Sequence, residues 1–122
     1  MKTTYITILG ERHPLCFSLS AVEEIAEEFG DMEEMTKTVT DSTDLMRQLK
    51  GVRKLLDILI RAGRRHFELT GQPLPPEIKG DVADLIDMTD PGAIDSIFAA
   101  IGNDSEREIE ATPPKNTEPT QE

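Results

Sequence analysis

His13 and Cys16 are the one histidine–cysteine pair that lies close together in this 122-residue sequence. A thiol beside an imidazole is the arrangement of a catalytic nucleophile with its general base. The surrounding residues predict a strand, however, and residues three apart in a strand point to opposite faces. We therefore expect no catalytic dyad, and interpret Cys16 as a small core residue and His13 as a turn residue.

The other residues with metal-binding side chains do not form a recognisable site. His66 lacks the glutamate–histidine helical spacing that marks many metal centres. The acidic run over residues 23–28 is not accompanied by nitrogen ligands or by an EF-hand loop, and is interpreted as a solvated helix face. The sequence contains no Walker loop and no dinucleotide fingerprint. These patterns predict a protein that is not an enzyme and needs no metal or cofactor.

The charge of the chain is large and unevenly distributed. The formal net charge is −11, with acidic residues in excess over residues 11–44 and 77–122 and basic residues in excess over residues 47–65. An acidic chain is a poor match for nucleic acid, which binds basic surfaces. The basic segment has two interpretations: a helix packed among acidic helices of the same fold, or a docking surface for an acidic partner.

The sequence also favours the cytoplasm. Its first 19 residues lack the basic start and apolar run of a secretory signal. The most apolar stretch, residues 55–60, is too short to cross a bilayer, so no membrane association is expected. A single cysteine cannot form an internal disulfide.

The elements that would position any site begin with a β-hairpin over residues 3–17. Its first strand is β-branched and alternating, and Gly10 marks the turn. Pro14 lacks a backbone donor, so its strand should lie at an edge or begin late. A helix over residues 20–29 follows, with Ser18 or Ser20 as its cap and apolar residues on one face. Residues 31–39 form a weaker helical pattern through Met32 and Met35.

A long helix is predicted over residues 42–69. Its apolar residues are spaced by four, three, four and three, and form a seam that consists of Leu45, Leu49, Val52, Leu56 and Leu59. Around residues 55–60 the helix is apolar on most sides, which is typical of a buried central helix. Gly51 indicates a kink or a close helix contact, whereas Gly63 is interpreted as lying near a turn or a helix end.

Two shorter helices are predicted after a proline-rich connector. The first covers residues 77–88, and the second covers residues 91–101 with Asp90 as its cap. Residues 105–122 combine prolines, threonines and acids, and are predicted to be a disordered acidic tail. The predicted fold is mainly α within an α+β class: a short N-terminal hairpin and a compact helical domain over residues 1–104, followed by this tail.

The order of these features resembles that of a known protein family. A hairpin leads through PLCFS (residues 14–18) into AVEEIAEEFG (residues 21–30), and a leucine-rich helix then ends in LIRAG (residues 59–63). A proline-containing link, an Ile/Phe-rich helix and a charged tail follow. Over residues 5–110 this order is similar to that of the tail assembly chaperones of long-tailed bacteriophages and prophages of Gram-positive bacteria.

The resemblance implies a non-structural assembly factor in the host cytoplasm. Such chaperones bind the helical tape measure protein, keep it soluble and help to recruit the tail tube protein. The alternatives are a small phage structural component that stays in the virion, such as a connector or tail completion protein, and an acidic inhibitor that mimics DNA.

A binding surface is predicted on the first half of the long helix. The apolar residues Leu45, Leu49 and Val52 would receive a partner helix in a groove. The basic residues Arg47, Lys50, Arg53 and Lys54 would flank the seam and attract an acidic helix. The alternative is that the seam packs against the protein's own first helix.

Overall fold

The computed structural model describes residues 3–41 and 43–102. The predicted mainly helical fold with an N-terminal hairpin is confirmed. The described residues form two strands and four α-helices, with one short 3-10 helix before the last α-helix. These elements are β1 (Thr4–Ile8), β2 (Glu11–Leu15), α1 (Leu19–Phe29), α2 (Met32–Thr40), α3 (Leu45–Thr70), the 3-10 helix (Val82–Leu85) and α4 (Pro91–Ala100). The predicted tail over residues 105–122 lies outside the described residues.

The two strands form an antiparallel hairpin in which Ile8 pairs with Glu11. Leu9 and Gly10 connect them, and both have positive φ angles, of 54° and 80°. Positive φ at both central residues is what a tight type I′ hairpin turn requires. Pro14 lies in β2 opposite Tyr5. Because this sheet has two strands, each strand is an edge, and the expected edge position of Pro14 is confirmed.

Helices α1 and α2 begin at capping side chains. Ser18 caps α1 by accepting a hydrogen bond from the Ala21 amide at 3.3 Å, so the earlier of the two predicted serines is the cap. Asp31 caps α2 through the Glu34 amide at 2.8 Å. The apolar spacing predicts that the inner face of α1 consists of Val22, Ile25, Ala26 and Phe29. This is partly wrong: Ala26 is exposed, whereas Ala21 is buried.

Helix α3 is the longest element and the centre of the core. Its 26 residues begin after the Asp44 cap, three residues later than predicted. The apolar stretch over residues 55–60 is buried except at its aspartate, as predicted. Helices α1 and α2 and the strand β2 all pack on α3, and α4 packs on β1. The Cys16 amide donates a hydrogen bond to the Leu59 carbonyl at 3.4 Å, which joins the end of the hairpin to the middle of α3.

The helix predicted over residues 77–88 is wrong. Within this range the chain forms a single 3-10 turn, Val82–Leu85, flanked by extended backbone. Gly80 adopts a φ of 91°, and the Asp87 carboxylate accepts hydrogen bonds from the Thr89 amide and hydroxyl at 2.9 and 2.6 Å. Such local aspartate turns offer the backbone an alternative to the helix. The last helix, α4, is capped by Asp90 as predicted.

Among the described residues, no helix is both long enough and apolar enough to cross a lipid bilayer.

Candidate functional site

An open apolar groove lies between the first half of α3 and the segment that runs from the 3-10 helix to α4. Its volume is about 370 Å³. One wall is a face of α3, and the other is built from three residues of the segment 83–88 and from α4. The lining consists of Leu45, Gln48, Leu49, Val52, Arg53, Leu56, Ala83, Ile86, Met88, Ile94, Ile97 and Phe98.

The groove has a buried floor and an exposed rim. Leu56 and Ile97 are fully packed at the bottom. Leu45, Leu49 and Met88 remain 61%, 43% and 63% exposed. Large apolar side chains that stay exposed around one depression are typical of a surface that binds another molecule. The groove is therefore the strongest candidate for a binding site among the described residues.

The structure separates the seven residues predicted to bind a partner into two groups. Leu45, Leu49, Val52 and Arg53 line the apolar groove. The remaining three, Arg47, Lys50 and Lys54, surround a different and more polar depression on the side of α3 that faces α1 and α2. The prediction that all four basic residues flank the seam is therefore wrong.

The helical repeat explains this separation. Each residue advances about 100° around an α-helix. Arg47, Lys50 and Lys54 are two, five and nine residues after Leu45, and therefore lie far from the seam.

The polar depression also contains Gly51, which brings α3 close to α2: a methyl group added to Gly51 would lie 2.6 Å from the Thr38 Cγ2 atom. The close helix contact predicted for Gly51 is confirmed. The alternative in which the seam packs on α1 is wrong, because the seam faces α4 and the segment over residues 83–88.

Basic residues of α3 are paired with acidic residues of neighbouring elements. The pairs are Arg47–Glu34 at 3.9 Å, Lys54–Glu28 at 3.4 Å, Arg61–Glu24 at 2.7 Å, Arg65–Glu24 at 2.9 Å, and Arg53 with Asp81. These pairs are partly exposed, and each contributes little stability. The interpretation of a basic helix packed among acidic ones is confirmed.

His13 and Cys16 are both buried. Burial among core groups, with the nearby Arg64 guanidinium, lowers the pKa of His13, and burial raises the pKa of the Cys16 thiol. The prediction that Cys16 is a core residue is confirmed. The prediction that His13 is a turn residue is wrong, because it lies inside β2 opposite Ile6. Neither side chain is presented to solvent for chemistry.

Residues 3–41 and 43–102 contain no group of three or more histidine, cysteine, aspartate or glutamate side chains that is able to hold a metal ion. His66 is partly buried and packs beside the ring of Phe67, with a centroid distance of 6.3 Å. The acidic run of α1 faces outward, apart from Glu24, which forms salt bridges with Arg61 and Arg65.

Comparison of the chain with protein-family models, with curated proteins and with solved structures finds no match.

The second wall of the groove is the part that the sequence did not indicate. Ile94, Ile97 and Phe98 were recognisable as the apolar stripe of α4. The apolar spacing over residues 77–88 places Ile86 on the inner face of the predicted helix, and it indicates no role for Met88. Over residues 83–88 (ADLIDM) their signal is a set of apolar residues interrupted by aspartates at positions 84 and 87, which is visible once the helix is set aside.

Proposed function

We propose that this protein is a non-enzymatic assembly chaperone that holds a helical segment of a partner protein in the apolar groove. The observation that carries the proposal is the set of large apolar side chains left exposed around one depression. The resemblance to phage tail assembly chaperones supplies the partner: the tape measure protein, kept soluble in the host cytoplasm until the tail tube protein assembles around it.

The dimensions of the groove suit a short helix. Its α3 wall runs from Leu45 to Leu56, and at 1.5 Å per residue this corresponds to about 16 Å, or three turns of a bound helix. A partner helix with apolar residues at i, i+3, i+4 and i+7 would place its stripe along this length.

The apolar surface available predicts modest affinity. Complete burial of one leucine or methionine side chain contributes about 1.5–3 kcal/mol. From the exposed fractions of Leu45, Leu49 and Met88, covering the groove would contribute roughly 3–4 kcal/mol, with a similar contribution from the partner's own stripe. Ordering costs oppose this gain, so the affinity should be micromolar or weaker. A chaperone that must release its partner needs such an affinity.

The test is co-expression with the tape measure protein. We expect a larger soluble fraction of that protein and a complex that co-purifies at low salt. Absence of a complex would refute the chaperone proposal.

The groove itself is tested by Leu49→Asp, with Leu69→Asp as the matched control. Both leucines lie on α3 and are exposed, Leu69 to 88%, but Leu69 does not line the groove. We expect Leu49→Asp to weaken the complex by about tenfold or more, because a carboxylate would be buried in the interface. Leu69→Asp should leave the complex unchanged, and circular dichroism should report folded protein for both. Equal binding by the two variants would place the interface elsewhere.

A further inference from the structure

The immediate charge environment of the groove is acidic. Residues 81–98, which include its second wall, contain five aspartates and no lysine or arginine. Ala83, Ile86 and Met88 point into the groove, and the aspartates at positions 84 and 87 alternate with them and are exposed. An apolar stripe is thus bordered by a row of carboxylates along one edge.

The opposite wall does not balance this charge. Arg53 is the single charged residue that lines the groove, and it already pairs with Asp81. Arg47 and Lys54 lie around the other depression, where they pair with Glu34 and Glu28. Asp81 is thus compensated, whereas Asp84, Asp87 and Asp90 form no salt bridge within the part of the chain that the structure describes.

The carboxylates along this edge are held in place. The side chain of Asp87 accepts hydrogen bonds from the amide and the hydroxyl of Thr89, which lower its pKa. Asp90 accepts from the Gly92 amide at 2.9 Å as the cap of α4, and Asp81 accepts from the Ala83 amide at 2.9 Å. Carboxylates held in place around an apolar groove favour a ligand of opposite charge.

We infer that the groove accepts a cationic amphipathic helix, in which lysine or arginine residues flank the apolar stripe. This inference rests on the proposed function and specifies its partner segment. It reverses the expectation from the sequence, in which basic residues of α3 would attract an acidic helix. It also disfavours the chain's own residues 103–122 as the occupant, since they carry six acids and two bases and would meet like charge.

The inference is tested with synthetic helix-forming peptides that share one leucine stripe at i, i+3, i+4 and i+7 and differ in the flanking residues. One peptide carries lysine there, one glutamine and one glutamate. Binding to the full-length protein is measured by fluorescence anisotropy at low and high salt. We expect the lysine peptide to bind about tenfold more tightly than the glutamate peptide at about 50 mM salt, and the difference to shrink at about 500 mM as charges are screened.

Asp84→Asn/Asp87→Asn should reduce the preference for the lysine peptide by about threefold or more. Asparagine keeps the side-chain oxygen that accepts from Thr89, so the fold of this segment should persist. The matched control is Glu23→Gln/Glu27→Gln, which removes two charges from the exposed face of α1 and should leave the preference unchanged. An equal effect of the two double variants would show that the preference reflects net charge alone, which would overturn the inference.

The remaining outcomes separate the inference from the proposed function. If the glutamate peptide binds as tightly as the lysine peptide, and Leu49→Asp abolishes both, the groove is a docking site but the cationic partner is refuted. If none of the peptides binds, groove docking itself is refuted.

Discussion

Replacing Gly63 by alanine tests how closely the hairpin approaches α3. An added Cβ atom would lie 2.6 Å from the carbonyl carbon of Pro14, closer still to its oxygen, and 3.3 Å from the Leu15 amide nitrogen. An ordinary carbon–carbon contact needs about 3.5 Å, so β2 would have to move about 1 Å away from α3. This movement would also stretch the hydrogen bond between the Cys16 amide and the Leu59 carbonyl.

The expected free-energy change combines two opposing effects. Alanine is favoured over glycine inside a helix by about 1 kcal/mol. Forcing an extra methyl group into a packed interior costs about 1–3 kcal/mol, and the upper end applies here because the obstacle is backbone. We therefore expect Gly63→Ala to lower the free energy of unfolding by about 2 kcal/mol and the melting temperature by roughly 10 °C.

The second glycine of α3 provides the comparison. A Cβ atom on Gly51 would meet the Cγ2 atom of Thr38, a single methyl group, at 2.6 Å. Thr38→Ser removes that methyl group, so Gly51→Ala should destabilise the wild-type protein but become neutral or stabilising in the Thr38→Ser background. Gly63→Ala should cost the same in both backgrounds.

The assay is urea unfolding followed by circular dichroism, with free energies obtained by linear extrapolation. A Gly63→Ala variant as stable as the wild type would refute the close approach of β2 to α3. Loss of stability in Gly51→Ala that Thr38→Ser does not relieve would refute the assignment of its cause to the Thr38 methyl group.

Two further predictions concern the core. Burial and the nearby Arg64 lower the pKa of His13 below its value in the unfolded chain, so the unfolded state takes up a proton first as the pH falls. Thermal melts should therefore show stability that is complete above about pH 6.5 and declines below it. His13→Gln should flatten this decline between pH 7.5 and 5.5, and an unchanged slope would exclude His13 as its cause. Leu56 is 2% exposed, so Leu56→Asp should abolish cooperative unfolding because an unpaired carboxylate would be buried. A normal melting curve for this variant would contradict the position of Leu56 at the floor of the groove.

The elements that the sequence predicted well are those specified by local signals. Helix α1 combines a capping serine with a terminal glycine, and α4 begins at an aspartate–proline pair. Each signal lies within a few residues of the element that it defines, so no knowledge of the rest of the fold is needed.

The errors occur where distant contacts decide. Gly63 was interpreted as a glycine near a turn or helix end, but it lies inside α3 at the place where β2 crosses it. The sequence pattern places His13 in the turn after Gly10, whereas it lies inside β2, and its burial depends on how the hairpin packs. Over residues 77–88 the apolar spacing suited a helix, but Gly80 and the aspartate turns favoured extended backbone.

The candidate site was half predictable for the same reason. The seam on α3 follows from helical spacing alone, and it is where the structure places the exposed leucines. The opposite wall depends on how the connector folds back over α3, and this folding back also sets the sign of the charge around the groove. The structure therefore does not place the basic residues of α3 around the groove as the sequence predicts.

The packing of α4 on β1 has a consequence for synthesis on the ribosome. The apolar side chains of Ile6 and Ile8 are buried in the finished protein, yet about 90 residues separate them from Ile97 in α4. At about 5–20 residues per second, the completed hairpin waits roughly 5–20 s before its last covering element emerges. During that interval α4 does not yet cover the apolar face of β1, and an exposed apolar strand with an unpaired edge favours aggregation. Until α4 emerges, the apolar face of the nascent hairpin is therefore accessible to other chains.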